Sequence, residues 1–349
     1  MKKKIALITG VTGQDGSIMA EYLLQKGYIV HGIKRRTSIF HTKRIDHFLE
    51  DKHSSRSKFF LHFGDVNDPL SCINLINVIK PDEIYHFAAQ SHVAISFEMP
   101  HYTTSTDSLG TLNLLEAIRI NKKKNIKFYN ASSSEIYGNS QKKVLNEKSL
   151  FDPASPYAAA KLNAFYLTKI YRVSYGIFAS NGILFNHESE LRGETFVTRK
   201  ITMFVAKYYF KRKGLLLLGN LNSSRDWGYA RDFIKGIWKI MQHNKPDDFV
   251  LATNKSYSVK QFVIESFKNI KVDIVFKNIS GKTIGLDKKT KKIIIKSIDY
   301  YLRPNDVNHL KGNYNKAKKV LKWKPEVGFK KLVKIMVEND IKLIKDSYR

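Results

Sequence analysis

A chain of 349 residues with 43% hydrophobic content can hold one large α/β domain with an extension, or two lobes. Lys and Arg (60) outnumber Asp and Glu (31) for a net charge of +29. The basic residues are nevertheless spread from Lys2–Lys4 through Lys122–Lys124 and Lys288–Lys292 to Lys316–Lys319, with no zinc-finger or recognition-helix pattern, which argues against a specific nucleic-acid partner. The absence of a run of about 18 apolar residues argues against a membrane span, and the lone Cys72 excludes an internal disulfide and fits a reducing, cytoplasmic setting.

The N-terminal apolar run is too short for a secretory signal and runs into a Gly-rich turn, so Ile5–Thr9 is predicted as a first strand. Apolar runs and helical patterns then alternate. Ile29–Ile33, Phe59–Phe63, Glu83–Ala88, Ile126–Ala131 and Phe178–Ile183 are predicted strands. Ser17–Lys26, Pro69–Ile79 (with Cys72 as a packing residue), Leu109–Ile120 and Pro156–Tyr175 are predicted helices. This alternation implies a Rossmann-like, doubly wound parallel sheet covered by helices on both faces. After Asn186 the rhythm changes. A helix is expected near 198–212, a second near 229–243, and a strand at Phe249–Thr253 that returns to the main sheet. A helix around 258–268, a Lys/Gly-rich stretch with a flexible loop or hairpin at Asn278–Lys292, and a helical tail complete a smaller lobe. The expected division is a cofactor domain over 1–185 with a return segment at about 226–255, and a substrate-binding C-terminal α/β lobe from 186–225 and 256–349.

The spacing Gly10-x-x-Gly13-x-x-Gly16, after a strand and opening a helix, is a dinucleotide fingerprint whose glycines let the backbone approach a pyrophosphate at the helix N-terminus. Gly10, Thr12, Gly13, Gln14, Asp15 and Gly16 are therefore candidate cofactor contacts. An NAD site places an acid at the end of the second strand. This chain has Gly32-Ile33-Lys34-Arg35-Arg36-Thr37-Ser38 there, and two guanidiniums with two hydroxyls suit a 2′-phosphate, so NADP is the expected cofactor. Asp65 and Val66, after the third strand, stand where adenine is contacted. Phe87, Ala88, Ala89, Gln90 and Ser91, after the fourth, fall beside the ribose and nicotinamide.

Tyr157 and Lys161 lie four apart and share a helical face. The ammonium, with the positive charge of a nicotinamide, is expected to favour the phenolate, which can take a proton from a substrate hydroxyl as hydride leaves the same carbon. Ser133, at the end of the fifth strand, can orient that hydroxyl. Glu135 is two residues further on, and in extended backbone it projects to the same side as Ser133. A carboxylate beside a redox site points to a second reaction, loss of water, and separates a sugar dehydratase from a plain dehydrogenase.

Several stretches carry a more specific signal: Gly10–Gly16, Gly32–Ser38, Ala89-Gln-Ser-His-Val93, Ala131–Gly138, Ser155-Pro-Tyr157 with Lys161, Asn181–Ser189, Arg192–Ile201, Leu218–Leu221, Arg225–Gly228 and Tyr301–Pro304. Through them nearly the whole chain resembles the extended short-chain dehydrogenase/reductase family, and within it the GDP-mannose 4,6-dehydratases. The resemblance implies conversion of GDP-D-mannose to GDP-4-keto-6-deoxy-D-mannose by internal hydride transfer and water elimination. Glu135 then matches the acid/base, Tyr157 the redox base, and Ser133 a position usually held by Thr. Lys161, Arg35, Arg36, Asp65, Tyr102, His187 and Arg192 match NADP positions. The nucleotide-sugar pocket would take Ser91, Ser133, Glu135, Asn186, Val197, Lys200, Gly219, Arg225 and Arg303, with the arginines at the diphosphate and Lys200 near guanine. Dimers or tetramers are also implied, with the Arg35–Arg44 loop reaching a neighbour's cofactor.

The chain departs from the family pattern at Thr104–Gly110, Glu190-Leu191, Phe151–Ala154, Asn163 and Phe165. These departures leave the chemical groups in place but keep the sugar open: GDP-D-glycero-D-manno-heptose is the alternative substrate. A 4-epimerase or reductase would share Tyr157 and Lys161 without needing Glu135. A noncatalytic NADP- or nucleic-acid-binding protein would need neither Tyr157 nor Lys161.

Overall fold

The computed structural model describes residues 3–49, 57–121, 125–140, 142–279, 282–302 and 304–346. The first half alternates as expected: β1 (Ile5–Thr9), α1 (Gln14–Gln25), β2 (Ile29–Lys34), β3 (Phe59–Phe63), α2 (Pro69–Ile79) and β4 (Glu83–His86). Two short helices follow, α3 (Val93–Glu98) and α4 (Pro100–Thr104), and then a π turn at Ser105–Leu109 that runs into α5 (Gly110–Ile120). Next come β5 (Lys127–Ser133), a 3₁₀ turn at Ser134–Tyr137, α6 (Pro156–Tyr175) and β6 (Ala179–Leu184).

The second half begins with the two-residue β7 (His187–Glu188), α7 (Val197–Lys211), β8 (Leu216–Leu218), β9 (Ser224–Arg225) and β10 (Gly228–Tyr229). It continues with α8 (Ala230–Gln242), β11 (Asp248–Leu251), β12 (Tyr257–Ser258) and α9 (Val259–Lys268). The chain ends in β13 (Ile274–Ile279), β14 (Lys282–Asp287), β15 (Ile293–Ser297), α10 (Asn315–Leu321) and α11 (Phe329–Asp346).

Seven strands form one parallel sheet in the order β11-β6-β5-β4-β1-β2-β3. The order reverses between β1 and β4, and the crevice outside their carboxyl ends is where such sheets bind ligands. Every residue of β4 and β6 is buried, as a sheet covered on both faces requires. One apolar cluster packs α1 and α8 on one face, around Met19, Leu23, Phe233 and Ile237. Another fills the opposite face around Ile76, Leu114, Phe128 and Tyr171. A third, around Phe262, Phe267, Leu332 and Met336, belongs to α7, α9, α11 and the second sheet, β13-β14-β15-β8.

Local chemistry fixes the helices that carry the site. Ser155 caps α6, its hydroxyl accepting Ala158 N–H at 3.1 Å, Pro156 occupies the first turn, and Gly176 ends the helix at φ 64°. Tyr157 and Lys161 thus sit in the first two turns of a firmly started helix. α1 begins at Gln14, three residues before the expected start, because Gly16 is part of its first turn. The Asn278–Lys292 stretch, expected as a loop or hairpin, belongs to an antiparallel pair: β13 registers with β14 from Ile274–Asp287 to Ile279–Lys282.

Candidate active site

A cleft of about 1250 Å³ runs from the glycine turn, past the carboxyl ends of β4, β5 and β6, to α7, Gly219, Arg225 and Tyr301. At its head, Gly10 has φ 68°, and a Cβ there would lie 2.8 Å from Ala88 N. A Cβ on Gly16 would lie 2.3 Å from Gly10 O. The turn closes with Gly13 N–H on Gly10 O at 3.0 Å, and Gly13 caps α1 without a side chain. The start of α1 is therefore left open to the cleft, a cradle that fits a dinucleotide pyrophosphate.

Below the cradle, His187 joins β7 to α1. Its Nε2 is 2.7 Å from Asp15 Oδ2, and its Nδ1 donates to Phe185 O at 2.8 Å. Burial opposes both charges, but the pair outweighs it: the imidazole is held above its ordinary value and the carboxyl below. Gln14 Nε2 donates to His187 O, and Ser189 Oγ donates to Gln14 Oε1 at 2.8 Å, so the segment after β6 is sewn to the glycine turn.

The catalytic candidates meet on one wall. Tyr157, Lys161, Ser133 and Glu135 all line the cleft and all are largely buried or half-buried. Lys161 Nζ donates to Ala131 O at 3.1 Å and lies 5.9 Å from the Tyr157 ring centre. Burial pushes the Tyr157 phenol above its ordinary value, and the Asp107 carboxylate adds to this, while the bonded Ser133 hydroxyl lowers it. Burial thus works against the phenolate that the ammonium spacing, together with a nicotinamide's positive charge, is expected to favour. A second difference concerns Glu135. Its backbone is not extended: it is the second residue of the 3₁₀ turn, with its N–H donated to Ser133 Oγ at 3.2 Å. Both side chains reach the cleft because the turn folds the carboxylate back beside the strand end. Glu135 Oε1 also lies 3.8 Å from Arg225 Nε, and the Arg225 guanidinium lies 3.7 Å from Asp306.

Of the other expected contacts, Thr12, Arg35, Asp65, Val66, Phe87, Ala88, Ala89, Ser91, Tyr102, Asn186, Arg192, Val197, Lys200 and Gly219 line the cleft. Arg35 Nη1 donates to the Tyr102 hydroxyl, and Lys200 Nζ lies 3.6 Å over the Tyr301 ring. Arg36, Thr37, Ser38 and Gln90 do not line it. Arg36 bonds Thr37 O and leans on Phe63, Thr37 Oγ1 donates to Ile39 O, and Gln90 turns back to accept His92 N–H at 2.6 Å. Arg303 lies outside the described residues.

Sequence reasoning missed Arg44, Ser132, Trp227 and Asp306, all in the lining. Arg44 donates to Leu191 O at 2.9 Å and Thr12 O at 3.2 Å, so it straps the glycine turn to the segment after β7. Nothing local in the sequence marks it. Asp306 follows the quoted Tyr301–Pro304 stretch by two residues and was findable from it.

Fold and site together define a short-chain-dehydrogenase-type α/β protein with a dinucleotide cleft and an added carboxylate. A sequence model of the family described as GDP-mannose 4,6 dehydratase matches residues 7–336. The chain belongs to that family. It is 47% identical over 346 residues to the GDP-mannose 4,6-dehydratase of Sinorhizobium fredii, covering 99% of both chains. It is 46% identical over 350 residues to the Homo sapiens GDP-mannose 4,6 dehydratase, covering 99% of this chain and 93% of the human one. The fold is shared with a Thermotoga maritima UDP-glucose 4-epimerase solved with UDP-glucose (TM-score 0.79, 23% identity, 97% and 99% covered). It is shared too with a Bacillus anthracis dTDP-glucose 4,6-dehydratase in complex with NAD (TM-score 0.79, 18% identity, 98% of each covered).

Proposed function

We propose that this protein is an NADP-dependent hydro-lyase that converts GDP-mannose to GDP-4-keto-6-deoxymannose. One observation carries the reading: the Glu135 carboxylate stands in the same wall of the cleft as the Tyr157, Lys161 and Ser133 redox set. Family membership names the sugar nucleotide, and the relatives bear the mannose name rather than that of the C6-extended heptose.

A bound nicotinamide dinucleotide supplies the acceptor of the hydride from C4 and its donor back to C6. Tyr157 takes the proton of the sugar 4-hydroxyl, and Ser133 orients that hydroxyl. Glu135 removes the C5 proton, acidified by the new C4 ketone, and passes a proton to the C6 hydroxyl, which leaves as water. Reprotonation at C5 consumes the equivalent of the proton that Tyr157 took, so the cycle closes without net oxidation. Arg225 and Lys200 serve the diphosphate and guanine ends of the substrate. In this reading 1–185 with about 226–255 holds the cofactor and the remainder holds the sugar nucleotide. The protein works in the cytoplasm as a homodimer or homotetramer.

The direct test is incubation of the purified protein with GDP-mannose and no added reductant. The expected product is lighter by one water, with no net reduced cofactor. A substrate that returns unchanged, or is converted without mass loss, would overturn the dehydratase in favour of an epimerase or an idle fold.

Cofactor choice gives a second expectation. β2 ends at Lys34 and is followed by Arg35, with no acid to hold ribose hydroxyls, and Arg35 lines the cleft. A charge-assisted bond to a 2′-phosphate contributes about 1.5–3 kcal/mol. Arg35→Ala should therefore weaken NADP roughly ten- to hundredfold and leave NAD nearly untouched. Equal losses for both dinucleotides, measured by fluorescence titration, would count against NADP selectivity at this residue.

A further inference from the structure

We infer that the outer face of the second sheet, β13-β14-β15-β8, is a docking surface for a negatively charged lipid bilayer. The inference is independent of the reaction in the cleft and rests on what the strand register sets side by side.

Cross-strand partners share one face of a sheet. β13 and β14 set Val275 opposite Leu286, Lys277 opposite Ile284 and Ile279 opposite Lys282. β15 adds Ile293 opposite Leu286 and Lys296 opposite Ile284, and Lys296 is paired in turn with Leu217 of β8. All of these side chains are aliphatic or lysine. The alternate residues Ile274, Phe276 and Ile295 point to the other face, into the apolar cluster that α7, α9 and α11 build. The helices of the lobe thus lie on that side. On the outer face Val275, Ile279 and Ile293 are 39%, 53% and 51% exposed, too open to be core residues, and Lys277 and Lys282 are exposed beside them.

Residues 274–297 hold seven lysines and one acid, Asp287. Its Oδ1 accepts Lys289 N–H at 2.8 Å and Thr290 N–H at 3.2 Å, so the carboxylate is engaged inside the β14–β15 turn. The turn presents Lys288, Lys289, Lys291 and Lys292 to solvent at the end of the sheet. The chain's net charge of +29 supplies long-range attraction to any polyanion. What this face adds is aliphatic surface between the ammonium groups.

That composition chooses the occupant. A second copy of the face would set lysine against lysine, which repels. The cores of protein–protein interfaces are enriched in aromatic residues and arginine and depleted in lysine. Single-stranded nucleic acids are held by stacking bases on aromatic rings, and among the described residues this face has none. An anionic bilayer takes both features that are present. Aliphatic side chains enter the headgroup boundary, and lysine stems lie along apolar surface while the ammonium groups reach phosphate. Among the described residues no helix is long and apolar enough to cross a membrane, so the contact is peripheral.

The test is sedimentation of the purified full chain with vesicles. Equal parts of phosphatidylglycerol and phosphatidylcholine should carry the protein down at about 0.1 M salt and release it at about 1 M, where the screening length falls from about 10 Å to about 3 Å. Phosphatidylcholine alone should not carry it down. Each lysine at an anionic surface contributes about fivefold in affinity, so Lys277→Glu, Lys282→Glu and Lys296→Glu together should weaken binding by about a hundredfold or more. A control with Lys330→Glu, Lys331→Glu and Lys342→Glu has the same net charge but carries its changes on α11, behind the other face, and should lose far less. Ile279→Ser with Ile293→Ser should weaken vesicle binding about tenfold and leave binding to polyuridylate unchanged, because only the bilayer takes up aliphatic surface.

Equal losses in the two lysine variants would assign the attraction to net charge and overturn the inference. Vesicle binding that ignores the isoleucine changes would overturn it too, and would make the face a general attractor of polyanions. Failure to sediment with the anionic vesicles at low salt would leave the lysines as protection of the edge strand β13 against pairing with other chains. Melting temperature checks that each variant folds. Should the first triple variant not fold, Lys277→Ala alone must bind about fivefold more weakly, and parental affinity there overturns the inference as well.

Discussion

Glu135→Gln stops the reaction half-way: on addition of GDP-mannose the bound cofactor becomes reduced and stays reduced, and no dehydrated sugar forms. The Gln side chain keeps the shape and the buried setting of Glu135 in the 3₁₀ turn. It cannot take the C5 proton. A general acid/base contributes roughly 10²–10⁴-fold, so steady-state turnover falls by that factor while cofactor and substrate still bind. Tyr157→Phe gives the complementary result. It removes one hydroxyl from a side chain that is 8% exposed, so the first proton transfer fails and neither reduced cofactor nor product appears. Rapid-mixing absorbance together with product mass separates the two variants. If Glu135→Gln turned over near the parental rate, the carboxylate would be a structural neighbour of Arg225, and the elimination base would have to be sought elsewhere.

The sheet was legible because burial on both faces makes parallel strands read as apolar runs. β1 and β3 coincide with their expected bounds, β2 and β4 are displaced by one or two residues at one end, and β5, β6 and β11 by one or two at both ends. α2 and α6 coincide as well, because Asp68-Pro69 and Ser155-Pro156 spell out their starts and Gly176 ends α6. Elsewhere the local signals are weak or mislead. Gly16 is a poor helix former, yet it lies in α1 because the close approach of α1 to Gly10 leaves no room for a side chain. The antiparallel β13–β14 pair agrees with the hairpin alternative for Asn278–Lys292, but the strand bounds and β15 were hidden by lysines such as Lys277, Lys282 and Lys296, which are compatible with strands that expose one face.

The site divides in the same way. Its nucleus was readable, since Gly10–Gly16, Ser133–Glu135 and Tyr157–Lys161 are each local in the chain. Arg44 was not, because its part in the site depends on partners far away in sequence, Thr12 and Leu191. The same limit explains Arg36. Its charge suits a phosphate, but only the folded turn reveals that its guanidinium leans on Phe63.

Gly138→Ala is expected to damage stability and catalysis together, although Gly138 does not line the cleft. Gly138 ends the 3₁₀ turn at φ 49° and ψ −125°, and its N–H closes the turn on Glu135 O at 3.0 Å. A side chain in such backbone costs about 1–3 kcal/mol by itself. The steric conflict is worse: a Cβ would lie 1.6 Å from Asp152 O and 2.7 Å from Asp152 C, which are backbone atoms with no rotamer to change. Asp152 N–H is meanwhile bonded to Ile136 O at 3.1 Å, and Tyr137, fully buried, donates its hydroxyl to Asn146 O at 2.8 Å. The segment 134–138 can thus relieve the overlap only by pulling away from 152–154 and breaking those bonds. Forced overpacking adds about 1–3 kcal/mol, and the sum corresponds to a fall in melting temperature of roughly 5–10 °C. Because the same turn carries Glu135, even a shift of about 1 Å costs on the order of 10²-fold in turnover. Cofactor affinity should hold, since the glycine turn and α1 lie at the other end of the cleft. A variant that melts with the parent and turns over normally would mean that the turn carrying Glu135 is not braced against residues 152–154.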